Sequence, residues 1–210
     1  MQIAIVLYPG FTSLDVVGPY EVLGRLPGVE VVFVAESPGL VLNDQQSLSI
    51  KAVASFDDTT SPDVVVIGGG PGQLDQMKDG PLHQWLRHVD KTTTWTMSVC
   101  TGSLILAAAG LLEGRRATTY WLQMDELREY GAIPTQERVI IDGKYLIGAG
   151  VSAGIDAALT LASEIVGTEG AQALQLIIEY DPQPPFDSGS EAKASTSVVE
   201  RAKRQLLGQE

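Results

Sequence analysis

The 210-residue sequence has one cysteine, two histidines and few positive charges. One cysteine excludes an intramolecular disulfide, and with two histidines it leaves few ligands for a metal, so no metal site is expected. Lys and Arg number 14 against 26 Asp and Glu, which gives a formal net charge of −12. Because such a surface repels nucleic acid and anionic membranes, we expect the protein to bind neither.

Long apolar segments are also missing. No run reaches the roughly 18 residues of a membrane span, and the N-terminal MQIAIVLY lacks the positive start of a signal peptide. The sequence therefore predicts a cytoplasmic protein with a free thiol. Apolar side chains make up 44% of the residues and charged ones 19%, which indicates a large core.

Short apolar runs alternate with helical patterns along the chain. Runs that are apolar on both faces predict buried parallel strands at Ile3–Tyr8, Val29–Ala35, Val64–Ile67 and Trp95–Val99. Helices are predicted between and after them, at about 13–26, 79–90, 101–110 and 120–130. This alternation predicts an α/β fold, with a mostly parallel sheet and helices on both faces.

The remaining segments predict hairpins, further helices and an extension. Residues 40–53 alternate like an edge pair, and Asp142-Gly143 predicts a hairpin turn between strands 138–141 and 144–147. Helices are expected after Ser152, at about 168–179 after Gly167, and at about 195–207. Because Asp181–Ser190 is rich in Pro, Gly and Ser, we predict one domain over 1–210, with 181–210 as a C-terminal loop and helix extension.

The cysteine lies where a buried strand passes abruptly into a helix. In Ser98-Val99-Cys100-Thr101-Gly102 it takes the central place of a nucleophile elbow, with Ser98 where such elbows have glycine. Small neighbours permit the tight turn, and the start of the next helix is expected to favour the thiolate. We predict a reactive thiol; the alternative is a buried, inert cysteine.

A second segment, GVSAG at 150–154, matches the elbow motif more literally. A serine hydrolase of this type needs a histidine after its serine, and none follows His88. Ser152 is therefore predicted to cap a helix. His83 and His88 are expected to be solvated on one helix, which argues against a Cys–His dyad.

Carboxylates are the remaining candidates for proton transfer. Asp15 follows the first predicted strand, at the edge of the sheet where open α/β folds bind ligands. The alternative is that Asp15 only stabilises the first turn of a helix. Glu21 is a weaker candidate, because the pattern places it on an ordinary helix face.

The glycine-rich turn Gly68–Gly72 is a second candidate for ligand binding. It is not a dinucleotide fingerprint, because Gln73 stands where the third glycine belongs, and no lysine follows to make a P-loop. Its bare amides, those of Gly69 and Gly70 above all, are candidates for binding an oxyanion or a substrate atom. The alternative is a plain tight turn.

Six segments carry a resemblance to a known family. They are LDVVGPYEVL (14–23), IGGGPG (67–72), SVCTGSLILAAAGLLEGRRATTYW (98–121), GAIP (131–134), GAGVSAGIDAALTLA (148–162) and LQLIIEYDPQPPF (174–186). In this order they resemble the ThiJ/PfpI superfamily, and within it the isocyanide hydratases. The resemblance implies a flavodoxin-like sandwich, a homodimer and a catalytic cysteine at the elbow.

The resemblance also implies site residues. Protease-like members have histidine directly after the elbow cysteine, whereas this chain has Thr101, as the isocyanide hydratases do. The aspartate that those enzymes use falls on Asp15. Tyr120 departs from the histidine of many relatives, and we expect this change to affect the pocket or the substrate.

The implied activity is that of a lyase, which adds water to an isocyanide to give an N-substituted formamide without metal or organic cofactor. Cys100 is expected to form a covalent thioimidate and Asp15 to manage the proton. Thr101 or Asp15 would hold the water, and the amides of Gly69 and Gly70 would orient the adduct.

Three alternatives stay open. They are a glyoxalase or deglycase, a non-catalytic redox or ligand sensor related to AraC-type regulator domains, and a hydrolase that borrows a histidine from its partner. Such regulators carry a helix-turn-helix region after this domain, and 210 residues are not expected to leave room for one.

Overall fold

The computed structural model describes residues 1–206 and 208. Two compact units are present, Met1–Ile178 and the segment from Glu179 onward. A single domain over 1–210 with an extension from 181 therefore stays a prediction. None of the described helices is long and apolar enough to cross a membrane.

Eleven strands are present among the described residues. They are β1 (Gln2–Val6), β2 (Glu30–Ala35), β3 (Gly39–Leu42), β4 (Ser49–Ala52), β5 (Ala54–Ser55), β6 (Val64–Ile67), β7 (Trp95–Val99), β8 (Arg116–Ala117), β9 (Ile133–Pro134), β10 (Val139–Asp142) and β11 (Tyr145–Gly148). The α-helices are α1 (Ser13–Leu23), α2 (Pro81–Val89), α3 (Gly102–Ala108), α4 (Met124–Glu129), α5 (Ala153–Ile177) and α6 (Thr196–Leu206).

Seven of these strands form the central sheet, in the order β10-β11-β7-β6-β1-β2-β5. All neighbours are parallel except β10 and β11, which form the antiparallel hairpin predicted around Asp142-Gly143. β3 and β4 make the separate antiparallel pair expected in 40–53. With helices around it, this sheet confirms the predicted flavodoxin-like α/β fold.

The central strands are apolar throughout because helices cover the sheet. Ile3, Ile5 and Ile67 are 0% exposed, and all four residues of β6 are buried. α1 packs closely against α5, where Gly18 leaves so little room that an added Cβ would lie 3.2 Å from Ile155 Cγ1. Burying each of these large side chains stabilises the fold by about 1.5–3 kcal/mol, so the sheet holds its strand ends firmly.

Parallel strands bring the following loops together at one edge of the sheet. The Thr12 amide, after β1, donates to the Gly69 carbonyl, after β6, over 2.8 Å. The Cys100 amide, after β7, donates to the carbonyls of Gly148 and Ala149 at the end of β11, over 3.1 and 2.9 Å. Four loops that are far apart in sequence therefore meet where α/β folds bind ligands.

Several element boundaries differ from the predictions. The strands at 64–67 and 95–99 match, but the first strand ends at Val6 and not at Tyr8. The helix expected over 120–130 begins as a short 3₁₀ turn, Trp121–Gln123, before α4. The short strands β5, β8 and β9 were not predicted, since two residues show no periodicity.

The C-terminal helices follow the predictions at Gly167 but not at Ser152. The break at Gly167 is present, because this residue has φ +79° inside the span of α5. The Ser152 side chain does not cap that helix: it makes no capping hydrogen bond and instead accepts one from Arg138 Nη2 over 3.3 Å. The final helix ends at Leu206, and residue 207 of its predicted range lies outside the described residues.

Candidate active site

Cys100 occupies the sharp turn between β7 and α3. Its φ is +56°, a left-handed conformation that non-glycine residues rarely adopt. The surrounding structure holds it there: its amide is bonded to the end of β11, and its carbonyl accepts hydrogen bonds from Ser103 Oγ and Thr119 Oγ1, each over 3.0 Å. The predicted elbow is thus present, and its strain is balanced by bonds on both sides of the peptide.

The Cys100 thiol is protonated at rest. Burial and, to a lesser extent, the nearby carboxyl of Asp15 raise its pKa to about 12, although backbone N–H groups of Val151 and Thr101 act in the opposite direction. The start of α3 does favour the thiolate, as expected, because the Thr101 N–H lowers the pKa, but burial outweighs this effect. A helix terminus stabilises an anion by about 1 kcal/mol, whereas loss of hydration at a buried site shifts a pKa by several units.

Val151 places its N–H toward the sulfur from the loop before α5. Its φ of +21° lies in the region that favours glycine, although its side chain is β-branched. Backbone strain of this kind persists only where the surrounding structure imposes it, and it is common at functional sites. The role of Val151 was not predicted from the sequence, because only its backbone contributes.

Asp15 lies in the first turn of α1 and is fully buried. Its Oδ2 accepts a hydrogen bond from the Gly69 amide over 2.8 Å, whereas its Oδ1 is buried without a hydrogen-bond partner among the described residues. Burial, with a smaller contribution from the charge of Asp44, raises the pKa of Asp15 to about 7. Hydrogen bonds from the Gly69 amide and the Cys100 thiol act in the opposite direction. Near neutral pH this carboxyl therefore exchanges a proton readily.

The glycine turn supports the site without presenting free amides to a ligand. Gly69 donates to Asp15, and the Gly70 amide donates to Thr101 Oγ1 over 3.0 Å. Both amides already have partners within the chain, so a role for them in orienting a ligand stays a prediction. A Cβ added at Gly69 would overlap the backbone nitrogen and hydroxyl oxygen of Thr101, so only glycine permits this approach.

Tyr8 is a neighbour of the site that sequence analysis missed. Its hydroxyl is buried and donates to the Gly68 carbonyl over 2.8 Å. Burial raises its pKa well above the ordinary value, and the charges of Asp15, Cys100 and Asp44 add to the effect. A polar residue at the end of an apolar strand was the available signal. Tyr8 fixes the turn whose next amide holds Asp15.

Tyr120 stands at the rim of the same site. It is half-buried, and a Cβ added at Gly150 would lie only 3.0 Å from its ring carbon Cδ2. Trp121 lies edge-on to it, with ring centroids 6.0 Å apart. Burial raises the pKa of Tyr120 and the charge of Cys100 adds to the increase, while a hydrogen bond from Trp121 opposes them. The residue that departs from the family pattern thus belongs to the site.

Other candidates lie outside this arrangement. Glu21 forms an ion pair with Arg25 over 2.6 Å on a partly exposed face of α1. His88 is exposed as expected, but His83 is 1% exposed, so the expectation of a solvated residue is wrong for it. Neither histidine is among the groups that shift the pKa of Cys100 or Asp15.

No group of three or more His, Cys, Asp or Glu in the described part of the chain could hold a metal ion. The groups brought together are the Cys100 thiol, the Asp15 carboxyl, the Thr101 hydroxyl and the Tyr120 phenol. They suit covalent chemistry on a small molecule, with the proton moved by the carboxyl.

The chain is similar to known proteins over most of its length. The chain is 44% identical over 204 residues to the isonitrile hydratase of Pseudomonas putida, which covers 97% of this chain and 89% of that protein. It is 32% identical over 172 residues to the HTH-type transcriptional regulator CdhR of Pseudomonas aeruginosa, covering 78% of this chain and 50% of the regulator.

Solved structures show the same fold. A ThiJ/PfpI family protein from Pseudomonas syringae superposes with a TM-score of 0.93 at 38% identity, over 99% of this chain and 86% of that one. DJ-1beta of Drosophila melanogaster superposes with a TM-score of 0.76 at 21% identity, over 85% and 97% of the two chains. The model of the DJ-1/PfpI family matches residues 1–167, and the chain belongs to this family.

Proposed function

We propose that the protein is an isocyanide hydratase, a cysteine-dependent lyase that adds water to an isocyanide to give an N-substituted formamide. The observation that carries the proposal is the pair formed by the buried Cys100 thiol and the buried Asp15 carboxyl, whose Oδ1 has no partner among the described residues. Near-full-length similarity to the isonitrile hydratase of Pseudomonas putida supports it.

The first step joins the thiol to the terminal carbon of the isocyanide. Asp15, as carboxylate, accepts the thiol proton and passes it to that carbon, while the sulfur forms a bond to the same carbon. The product is a thioimidate, R–N=CH–S, on Cys100. One S–H bond is broken, one C–H and one C–S bond are formed, and the total charge does not change.

The second step hydrolyses the thioimidate. Water adds to the carbon, and one of its protons goes to the nitrogen, which gives a tetrahedral adduct. The C–S bond then breaks as the C=O bond forms, and the hydroxyl proton returns to the sulfur through Asp15. The Thr101 hydroxyl oxygen accepts a hydrogen bond from the Gly70 amide, so its own proton is free to donate a hydrogen bond to the water. These roles of Thr101 and Asp15 are part of the proposal.

The charges around the pair support a neutral substrate. The charged neighbours that act on Asp15, Cys100 and Tyr8 are carboxylates and the cysteine itself, Asp44 being the second acid. An anion entering this buried site would meet like charge in a poorly hydrated environment, which is costly. An isocyanide carries no net charge and avoids this cost.

The test is an assay of purified protein with an aliphatic isocyanide, with formamide measured by chromatography. Wild type should form formamide, Cys100→Ala should form none, and Cys100→Ser should be nearly inactive, because no histidine is placed to activate a hydroxyl. Methylglyoxal is assayed in parallel. Its consumption without formamide production would favour the glyoxalase or deglycase alternative and overturn the proposal.

We also propose that the enzyme is a cytoplasmic homodimer, as the family resemblance implies. The outer face of β3 exposes Leu40 and Leu42, at 75% and 43%, and offers an apolar surface for a second copy to bury. Sedimentation should give about twice 22.4 kDa. A monomer at micromolar concentration would contradict the dimer and leave the hydratase proposal intact.

A further inference from the structure

Tyr120 is the polar group at the site rim that the two-step reaction has not used. The preceding residue ties this segment to the nucleophile, because Thr119 Oγ1 donates to the Cys100 carbonyl. On the other side the Tyr120 ring lies against Gly150, in the loop that carries the Val151 amide. Tyr120 therefore follows directly after a residue bonded to the nucleophile's backbone, and its ring packs on the loop that carries the Val151 amide.

Trp121 determines how the Tyr120 hydroxyl can bond. An indole N–H can only donate, so in the hydrogen bond between the two side chains the phenol oxygen is the acceptor. The phenol keeps its own proton, because burial raises its pKa. A neutral phenol thus lies between the segment bonded to the Cys100 carbonyl and the loop of the Val151 amide, and the edge-on rings limit its rotation.

The reaction needs a donor at one atom that the other groups do not serve. As water adds to the thioimidate carbon, the electron pair of the C=N bond moves onto nitrogen, next to the carbon bound to Cys100. In the proposed steps Asp15 handles the thiol proton and the Thr101 hydroxyl holds the water, so neither is assigned as the donor to the nitrogen.

We propose that the Tyr120 hydroxyl donates a hydrogen bond to the substrate nitrogen and promotes breakdown of the thioimidate, with Trp121 orienting it. This inference rests on the proposed hydratase function. The proton that ends on nitrogen comes from the attacking water, so Tyr120 stabilises the developing charge without being consumed. Formation of the adduct depends on Cys100 and Asp15, so Tyr120 acts mainly in the second step.

The experiment compares Tyr120→Phe with wild type. The variant keeps the ring that packs on Gly150 and removes only the hydroxyl. Rapid-quench mass spectrometry with an aliphatic isocyanide should show the Cys100 adduct forming within about threefold of the wild-type rate. Steady-state kcat should fall about tenfold, the scale of one lost hydrogen bond, and adduct should accumulate during turnover.

Trp121→Phe serves as the second variant, because it keeps an aromatic edge and removes the indole N–H. It should show the same accumulation of adduct to a smaller degree. A purely structural role for Tyr120 would slow both steps together, and that result, or wild-type kinetics in Tyr120→Phe, would overturn the inference. If wild type makes no formamide, the hydratase proposal fails first, so the two failures are distinguishable.

Discussion

Replacing Asp15 by Asn should make the protein more stable above neutral pH and inactive at the same time. The substitution keeps the side-chain shape, and the amide oxygen can still accept the Gly69 N–H that now bonds Oδ2. The amide NH₂ then takes the place of Oδ1, which has no hydrogen-bond partner among the described residues. A protonated carboxyl also leaves an unsatisfied donor there, so Asn resembles the acid form of Asp15.

The size of the effect follows from the pKa. Asp15 titrates at about 7 in the folded protein against 3.8 for the free side chain, a rise of about three units. Because the folded pKa is raised, the native state binds the proton more tightly; the stability this provides is present below about pH 4 and lost as pH rises through 7. At about 1.4 kcal/mol per unit, keeping Asp15 ionised costs about 4 kcal/mol above pH 7.

Urea unfolding from pH 4 to pH 8 measures this cost directly. The free energy of unfolding of Asp15→Asn minus that of wild type should be within about 1 kcal/mol of zero at pH 4, and should rise by about 4 kcal/mol toward pH 8. Asp125→Asn is the matched control, since its carboxyl on α4 is 94% exposed, and its difference should stay flat. A flat difference for Asp15→Asn would show that burial does not hold its proton.

The same variant tests catalysis. Turnover should fall on the order of 10²-fold or more, the usual scale for general acid–base catalysis. Iodoacetamide should still alkylate Cys100, and at a given pH faster than in wild type, because the charge of Asp15 raises the pKa of the thiol. Normal turnover of isocyanide in Asp15→Asn would refute the proposed proton route.

Three further predictions concern pH, Thr101 and the histidines. The value of kcat/KM should rise with pH through about 7 to a plateau, since Asp15 must be ionised to accept the thiol proton; a fall over that range would require the protonated carboxyl instead. Thr101→Val should form the Cys100 adduct but hydrolyse it more slowly, and loss of adduct formation would make Thr101 part of nucleophile activation. His88→Gln should leave turnover and stability unchanged. Burial lowers the pKa of His83, so the wild-type protein should lose stability below about pH 6.5. In His83→Gln that loss should shrink while turnover at pH 7.5 stays within about threefold; a hundredfold loss would revive a Cys–His mechanism.

The fold could be predicted from sequence because buried parallel strands are apolar on both faces. β6 and β7 have the bounds that their runs of apolar residues indicated. Strand order and the two-residue pair of β8 with β9 could not be predicted, since both depend on contacts between distant segments. The same is true of Ser152, because the nearby Arg138 that bonds its hydroxyl belongs to the loop before another strand.

The site was predictable to the extent that it follows from strand ends. Cys100 and Asp15 both come directly after strands, and the edge of a parallel sheet brings such positions together. Tyr8 and Val151 were missed because they act through a carbonyl 60 residues away and a backbone amide, which leave no side-chain motif. The protonated state of Cys100 could not be predicted, because the degree of burial that outweighs the start of α3 cannot be read from neighbouring residues in the sequence.

The burial that raises both pKa values also suits the chemistry. An isocyanide receives the proton and the nucleophile on the same carbon, so a thiol can add across that one atom without leaving a separated charge. A neutral thiol beside a carboxyl that titrates near 7 supplies both parts with a single negative charge to bury, that of the ionised Asp15. A thiolate–imidazolium pair would bring two full charges into a site where hydration is lost. Its imidazolium would hold the proton for a leaving group that is separate from the attacked carbon. The Cys100–Asp15 pair therefore holds the single proton that must reach the carbon attacked by sulfur. This arrangement suits addition of water to an isocyanide better than cleavage of a peptide bond.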